Sequence, residues 1–331
     1  AISVPEMLII MDICNQCFRG YHMHSVIRSS RGVLIILTAL FIGSCARTEP
    51  KPLFTFVFMT DIHVEPGRGA AEGFSQALGK ADELHPELIV TGGDLIMDAL
   101  GQSYGRADSL YALYEQLTQD VKIPIYNTIG NHEVFGLYEK SGISQDHPEY
   151  GKQMFLNRMD QKQTYYSFDH KGWHFVILDG IGFTENRHYL GHIDSLQLQW
   201  LATDLASIGT ETPIIMSTHI PLVSVVPQLV NGSQKSVGKG YIITNSHEVM
   251  QVIEPYNVKL VLQGHLHHLE EIYARGIHFI TAGAVSARWW LGPYEETEEG
   301  FLHVEVYADS VAWDYVDYGW EVFEETPPTQ E

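Results

Sequence analysis

The chain is built from short apolar runs, and this pattern constrains its fold more than any other feature. Seven runs are rich in Val, Ile and Phe and read as buried strands, at 53–61, 88–94, 123–131, 173–179, 213–219, 258–265 and 277–283. Amphipathic stretches at 74–84, 107–119 and 194–208 read as helices, and 301–318 reads as two strands joined at "ADS". In the helix over 194–208, Asp194 is expected to act as cap, with Gln197 at the capping-box position and the inward stripe formed by Leu198, Leu201, Leu205 and Ile208. Buried strands that alternate with helices indicate an α/β fold.

Polar residues follow five of these predicted strands at the point where each strand ends. They are Asp61 and His63, Asp94, Asn131 with His132, His219, and His265 with His267. In an open α/β sheet the loops at the carboxyl ends of the strands converge on one crevice. The sequence therefore predicts that these side chains assemble into one site.

The composition of this set selects its chemistry. Imidazole, carboxylate and amide ligands without a thiolate suit divalent ions such as Mn²⁺, Fe²⁺ or Zn²⁺. Seven candidate ligands are too many for one tetrahedral ion but suit two ions that share a carboxylate. Two such ions clamp a phosphoryl group and generate a hydroxide between them. The residues thus predict a hydrolase with two divalent metal ions.

Five short blocks in this order resemble the calcineurin-like metallophosphoesterase superfamily across residues 53–285. They are "DIH" at 61, "GGD" at 92, "GNHE" at 130, "THIP" at 218 and "GHLH" at 264. The resemblance implies a four-layer αββα sandwich of two mixed β-sheets flanked by helices. It also implies one ion held by Asp61, His63 and His267, a second held by Asn131, His219 and His265, Asp94 bridging both, and His132 protonating the leaving group.

The blocks are more similar to the branch with cyclic-nucleotide phosphodiesterases and glycerophosphodiesterases than to two other branches. Purple acid phosphatases have a Tyr where this chain has Met97, and protein Ser/Thr phosphatases have an Arg where it has Ile129. The expected substrate is a small phosphoester, a diester in preference to a monoester, and no obligate protein partner is evident. A phosphomonoesterase of the same fold and a lipid-anchored binding protein with a non-catalytic metal site remain the alternatives.

Several further residues have two readings each. Arg288, Trp289 and Trp290 follow the last block and are candidates for substrate contacts, although paired tryptophans equally suit a core. Asp98 either orients His132 or caps a helix, and Asp179 either supports the metal site or caps the loop that follows it. The stretch 134–171 is either a lid or a long surface loop.

The three histidines of "GHLHH" are expected to divide into two ligands and a bystander. At an extended strand end, His265 and His267 point to one side and His268 to the other. The first two are therefore predicted to reach different ions, with Gly264 allowing the backbone to come close.

The first 52 residues are predicted to lie outside the fold. Arg28 and Arg31 precede an apolar stretch over 33–42, and the "FIGSC" that follows resembles the lipobox of bacterial lipoprotein signals, with Cys45 lipidated. We expect an upstream extension at 1–22, a signal at 23–45, a tether at 46–52, the catalytic domain at 53–320 and a tail at 321–331. The predicted location is a membrane-anchored lipoprotein facing the periplasm or cell exterior, held only by its lipid; a secreted soluble protein is the alternative.

The charge of the chain argues against nucleic acid as its partner. The formal net charge is −21, whereas proteins that bind a phosphate backbone usually carry a basic face. A local cationic site, such as a bound metal cluster, could still attract an anionic substrate.

Overall fold

A computed structural model describes residues 51–322 of the chain. The predicted extension at 1–22, the signal at 23–45 with Cys45, all but the end of the tether and most of the tail lie outside the described residues.

Thirteen strands and six helices make up the described part of the chain. The strands are β1 Phe54–Met59, β2 Leu88–Thr91, β3 Ile125–Tyr126, β4 Tyr166–His170, β5 Trp173–Ile177, β6 Ile181–Phe183, β7 Tyr189–Gly191, β8 Ile214–Thr218, β9 Val258–Gln263, β10 Glu270–Ala274, β11 Ile277–Thr281, β12 Gly300–Val306 and β13 Val311–Asp317. The helices are α1 Ala70–Glu83, α2 Tyr104–Thr118, α3 Gln153–Arg158, α4 Ser195–Ile208, α5 Val226–Asn231 and α6 Ser246–Ile253, with a 3₁₀ turn at Glu139–Ser141. No helix within residues 51–322 is long and apolar enough to cross a membrane.

The strands form two mixed sheets and a separate hairpin. The first sheet has the order β13-β12-β1-β2-β3, with β1, β2 and β3 parallel and the other pairs antiparallel. The second has the order β10-β11-β9-β8-β5-β4, in which β11, β9, β8 and β5 are parallel. Strands β6 and β7 pair with each other.

Three apolar layers hold the helices and sheets together. Between the sheets, Phe56 and Phe58 of β1 pack with Phe175 of β5 and Leu262 of β9. The outer face of the first sheet packs on α1 and α2, and the outer face of the second packs on α4 and α6. The result is the four-layer αββα sandwich that the family resemblance implied.

Each of the seven predicted strands contains an observed strand, but the third is only two residues long. After Tyr126 the backbone leaves the sheet, and Thr128 N donates to the Thr91 hydroxyl. Strands β4, β6, β7 and β10 were not predicted. Strands β4 and β10 lie at sheet edges, and β10 carries exposed Glu271 and Tyr273, so its polar content hides the strand pattern.

Helix α4 begins as predicted, with Asp194 accepting a hydrogen bond from Gln197 N at 2.8 Å. The Gln197 side chain is buried, and its amide hydrogen-bonds both the N–H and the carbonyl of Asp179 at 2.9 Å. Leu201 and Leu205 are buried, whereas Leu198 and Ile208 are only partly covered. This helix therefore fixes the end of β5 as well as covering the second sheet.

A buried histidine links helix α4 to strands β4 and β5. His174 Nε2 lies 2.9 Å from Asp204, and its Nδ1 lies 2.7 Å from Asp169, which is 75% exposed. Burial alone would lower the pKa of His174, but the hydrogen bonds to both carboxylates outweigh it and raise that pKa above its ordinary 6.5. The charged imidazole therefore stabilises the fold below pH 6.5, and this stabilisation is lost as the pH rises through the raised pKa.

Asp204→Asn is therefore expected to lower the free energy of unfolding by about 1–3 kcal/mol near pH 6, the range for a buried bond to a charged group. The loss should shrink as the pH rises towards 9, because His174 becomes neutral in the wild type too. Urea unfolding between pH 5.5 and 9 measures this. Asp169→Asn is the matched control, and its effect should be smaller because water screens the exposed carboxylate. A loss that does not change with pH would contradict this account.

Candidate metal centre

The loops that follow β1, β2, β3, β8 and β9 bring the seven predicted ligands together in two groups. In the first group, Asp61 Oδ1 lies 3.3 Å from His267 Nε2 and 3.9 Å from His63 Nε2. The two imidazole nitrogens are 3.2 Å apart. These three side chains are buried, and their ligand atoms are close enough to share one ion.

The second group contains His219, Asn131, His265 and Asp94. His219 Nε2 lies 3.1 Å from Asp94 Oδ2 and 3.2 Å from both Asn131 Oδ1 and His265 Nδ1. Asp94 Oδ2 is also 3.8 Å from His63 Nε2 in the first group. This carboxylate thus lies between the two groups, where a bridging ligand would lie.

Strained backbone delivers five of the seven ligands. Left-handed φ values occur at Asp61 (54°), His63 (50°), Asp94 (52°), His265 (72°) and His267 (56°). Such values are uncommon outside glycine and persist only where the surroundings enforce them, as at functional sites.

The expectation that the "GHLHH" segment continues as extended strand is therefore wrong. The turn nevertheless sends His265 to the second group and His267 to the first. His268 Nε2 instead lies 3.0 Å from Glu295 Oε2, away from both groups.

Two glycines make room for this arrangement. A Cβ on Gly264 would lie 2.0 Å from Thr60 Oγ1 and 2.7 Å from Asp61 Oδ2. Gly93 has φ +90°, and a Cβ there would lie 2.8 Å from His219 Nδ1. Both positions exclude a side chain because the backbone passes directly beside a ligand.

Backbone carbonyls orient two of the imidazoles. His219 Nδ1 lies 2.8 Å from Gly92 O, and His267 Nδ1 lies 2.5 Å from Ala287 O. A proton on each Nδ1 leaves the Nε2 lone pair directed into its group, which is the usual support for a metal-binding histidine.

Glu133 is a supporting residue that the sequence analysis quoted within "GNHE" without assigning it a role. Its buried carboxylate accepts hydrogen bonds from four backbone N–H groups, those of Asp94, Leu95, Ile96 and Gly130, at 2.7–3.2 Å. Burial and the neighbouring Asp94 raise the pKa of Glu133 to about 7. The sequence feature that could have indicated this supporting role is the position of Glu133 three residues after Gly130.

The electrostatics of the groups call for positive charge. Burial opposes ionisation of Asp94, but His219 and His132 outweigh it and hold the pKa of Asp94 well below its usual range. Asp94 in turn overcomes burial at His219 and raises the pKa of His219 to about 9. Burial and the adjacent His219 lower the pKa of His265 to about 4. Without metal, a proton on His219 thus compensates the carboxylates.

The donor set fits a pair of divalent cations. Asp61 Oδ1, which faces His63 and His267, is buried and has no hydrogen-bond partner among the described residues. Leaving an ionised oxygen unpaired is costly unless a cation binds it. Imidazole, carboxylate and amide atoms are the ligands that Mn²⁺, Fe²⁺ and Zn²⁺ accept, but they do not select among these ions.

The model of the calcineurin-like phosphoesterase family matches residues 54–269 of the chain. This chain belongs to that family. The match runs from β1 to the residue before β10, so it contains all seven ligands.

Individual relatives are distant. The chain is 24% identical over 298 residues to a cAMP/cGMP dual specificity phosphodiesterase of Mycobacterium tuberculosis, covering 83% of this chain and 82% of that one. Among solved structures, a dimetal phosphatase from Danio rerio matches with a TM-score of 0.60 and 17% identity, covering 80% of this chain and 96% of the other. GAP50, the anchor in the inner membrane complex of Plasmodium, matches with a TM-score of 0.52 and 14% identity, over 81% and 85%. At these identities the two structures establish the fold alone.

Of the eight residues that the family resemblance assigned to chemistry, His132 is the one not assigned as a ligand, although its ring nitrogen lies close enough to the ligand atoms of His63 and Asp94 to share an ion with them. Its Nε2 lies 3.8 Å from Asp94 Oδ2, and its ring centroid is 4.7 Å from that of His63. Its Nδ1 contacts the carbonyl of Met97. About a quarter of the side chain is exposed, so a bound ester could reach it.

The two aspartates with double readings contact neither metal group. Asp98 accepts hydrogen bonds from Leu100 N and the Gln102 amide, while the cap of α2 is Ser103. These contacts match neither predicted role of Asp98, orienting His132 or capping a helix, because the carboxylate accepts hydrogen bonds from the turn that follows it. Asp179 accepts from Ile181 N and so caps the loop after β5.

The structure separates the three candidate substrate residues. Trp290 is fully buried and donates from Nε1 to the carbonyls of Ile62 and His63, so the prediction that it contacts substrate is wrong. Trp289 is partly exposed and its ring lies 4.7 Å from that of His267. Arg288 is exposed, and its guanidinium lies 3.5 Å from Leu291 O.

The stretch 134–171 is tied to the loop after β5 and to the β6–β7 hairpin. Lys152 Nζ lies 2.6 Å from Asp179. The Arg187 guanidinium donates to the carbonyls of Gly136, Leu137 and Ile143 at 2.6–3.0 Å. These contacts fasten the segment, which also contains helix α3, with Met154 and Phe155 buried in the core, and ends in strand β4.

The metal content of single variants tests the division of the three histidines. His265→Ala and His267→Ala should each lose at least one equivalent of metal, because each removes an imidazole from one group. His268→Ala is the matched control and should keep both ions, since its ring bonds Glu295. Elemental analysis after Mn²⁺ or Zn²⁺ loading and desalting gives the stoichiometry. Equal loss in all three variants would contradict the assignment.

Proposed function

We propose that this protein hydrolyses a small phosphodiester with two divalent metal ions at this centre. The observation that carries the proposal is the complete set of ligands in two adjoining groups, with His132 beside them and open to solvent. The similarity to a cAMP/cGMP phosphodiesterase supports a diester over a monoester. A phosphomonoesterase with the same centre is the alternative.

The ligands and His132 divide the work of the reaction. The seven predicted ligands would hold two divalent ions, which would supply Lewis-acid charge for the phosphoryl oxygens and lower the pKa of water. Asp94 and Asp61 would hold the ions through ionised carboxylates, and backbone carbonyls orient the imidazoles of His219 and His267 towards the same positions. His132 donates a proton to the departing alkoxide from Nε2, because its Nδ1 is already bonded to Met97 O.

A non-catalytic metal-binding protein of the same fold is the remaining candidate from another class. The Plasmodium protein described as an anchor shows that related folds occur in proteins with that description. In the present chain all seven ligands and His132 are in place, and a purely structural metal site has no need of an exposed histidine beside the ligands.

A panel of esters tests the proposal directly. Protein loaded with Mn²⁺, Zn²⁺ or Fe²⁺ should hydrolyse diesters such as cyclic nucleotides, glycerophosphodiesters or bis(p-nitrophenyl) phosphate faster than the matching monoesters. His132→Ala should keep both ions yet lose about 10²–10⁴-fold in kcat, the usual contribution of a general acid. His247→Ala, an exposed histidine on α6, is the control and should change neither quantity. A fully active His132→Ala protein would refute its role, and inactivity on every ester would refute the proposed function.

We also propose export as a lipoprotein anchored through Cys45, supported by the "FIGSC" segment and the apolar stretch before it. A secreted soluble protein is the alternative. In a bacterial host, the full chain should incorporate labelled fatty acid and enter the detergent phase of a Triton X-114 separation. Cys45→Ser should abolish the label and shift the protein to the aqueous phase. An unlabelled wild-type protein would rule out the anchor.

A further inference from the structure

A cavity of about 360 Å³ opens directly beside the metal centre. His265 and His267 form part of its wall, so a molecule in the cavity lies next to a ligand from each group. The rest of the wall is largely aromatic and aliphatic, formed by Trp289, Tyr294, Tyr241, Val226, Val230 and Leu266. A volume and lining of this kind suit a small organic group.

The wall at Trp289 is preorganised by strained backbone. Ala287, Trp289 and Trp290 have φ values of 42°, 51° and 66°, in the region that non-glycine residues seldom adopt. Three hydrogen bonds hold this loop in place. They join His267 Nδ1 to Ala287 O, the Arg68 guanidinium to Trp289 O, and Trp290 Nε1 to Ile62 O. Strain of this kind is retained where it has a use, and here it sets the Trp289 ring 4.7 Å from His267 and 6.0 Å from Tyr294.

The lining also limits the charge of the occupant. No Lys or Arg of residues 51–322 lines the cavity, and His268 in the wall is already paired with Glu295. An anionic group placed away from the metal centre would therefore meet no counter-charge there. The phosphate is therefore the only anionic group of the bound molecule and lies at the metal groups, while the part of the molecule inside the cavity is uncharged.

We infer that this cavity is the specificity pocket of the enzyme and that it takes the planar, uncharged part of a phosphoester with one phosphate. Trp289 provides the stacking face, and Val226 and Val230 of α5 add apolar lining. A nucleobase or an aryl group meets this description, whereas a glyceryl group or a second phosphate does not. The inference rests on the proposed function, because it assigns the phosphate to the metal centre.

Two phosphonates that cannot be hydrolysed as esters separate binding from turnover. Phenylphosphonate and methylphosphonate carry the same anion and differ by the planar ring. On protein loaded with Mn²⁺, calorimetry should give a Kd at least tenfold lower for phenylphosphonate, because burying a ring of this size is worth more than a factor of ten. 4-Phosphonobenzoate should bind at least fivefold more weakly than phenylphosphonate, because its carboxylate lacks a partner.

Variants of neighbouring residues place the effect in the cavity. Trp289→Ala should reduce the preference for phenylphosphonate to about threefold or less, and Val230→Ser should reduce it in part. The Kd of methylphosphonate should stay within about threefold in both variants. Leu229→Ser is the matched control, because Leu229 is the adjacent residue of α5, is 78% exposed and does not line the cavity.

The outcomes distinguish the two proposals. Absence of a phenyl preference in the wild type, a preference that survives both cavity variants, or failure of both phosphonates to bind would overturn the specificity pocket. Failure of the metal-loaded protein to hydrolyse any ester would overturn the proposed function even if phenylphosphonate binds as expected. Hydrolysis of diesters without any phenyl preference would leave the function in place and remove the pocket.

Discussion

The burial of two carboxylates among imidazoles is the constraint on which the structure depends. Asp61 and Asp94 lie at the shared edge of two sheets, 0% and 2% exposed, where an unpaired charge is costly. The ligand set places five histidine or asparagine side chains around them, and Asp61 Oδ1 still lacks a hydrogen bond. Cation binding removes this cost, so the stability of the fold is coupled to the binding of metal. The left-handed turns after the strands serve this arrangement, because sharp turns bring the ligand side chains within reach of one another.

Two loops at the edge of the first sheet are joined by a third carboxylate, which is not one of the seven predicted ligands. Glu133 gathers the N–H groups that follow β2 and the N–H of Gly130 after β3, and so fixes the loop of Asp94 against the loop of Asn131. Tyr111 of α2 donates to its carbonyl, which ties the helical layer to the same point. The loop that carries Asp94 is therefore held in position by backbone hydrogen bonds to Glu133.

The sequence predicted well which polar side chains come together, because each follows an apolar run and the carboxyl ends of parallel strands share an edge. It predicted less where partners are distant along the chain. Trp289 and Trp290 are adjacent and chemically identical, yet one lines a cavity and the other fills the core under α1, where Gly73 leaves room for its ring. No local pattern separates them, because the difference comes from φ values near +50° to +66° and from hydrogen bonds to residues over 200 positions away. The edge strand β10 was missed for a local reason, because its charged residues obscure the strand pattern.

The loop at 286–290 couples the metal centre to the cavity beside it. Ser286 donates to Asp61 O at 2.7 Å, Ala287 O orients His267, and Trp290 holds the carbonyls of Ile62 and His63. All three ligands of the first group are therefore supported by the loop that carries Trp289. A molecule that stacks on Trp289 contacts a side chain whose backbone already sets the ligand geometry. The proposed substrate specificity and the metal binding therefore depend on the same hydrogen bonds of this loop, and its strained backbone supports both.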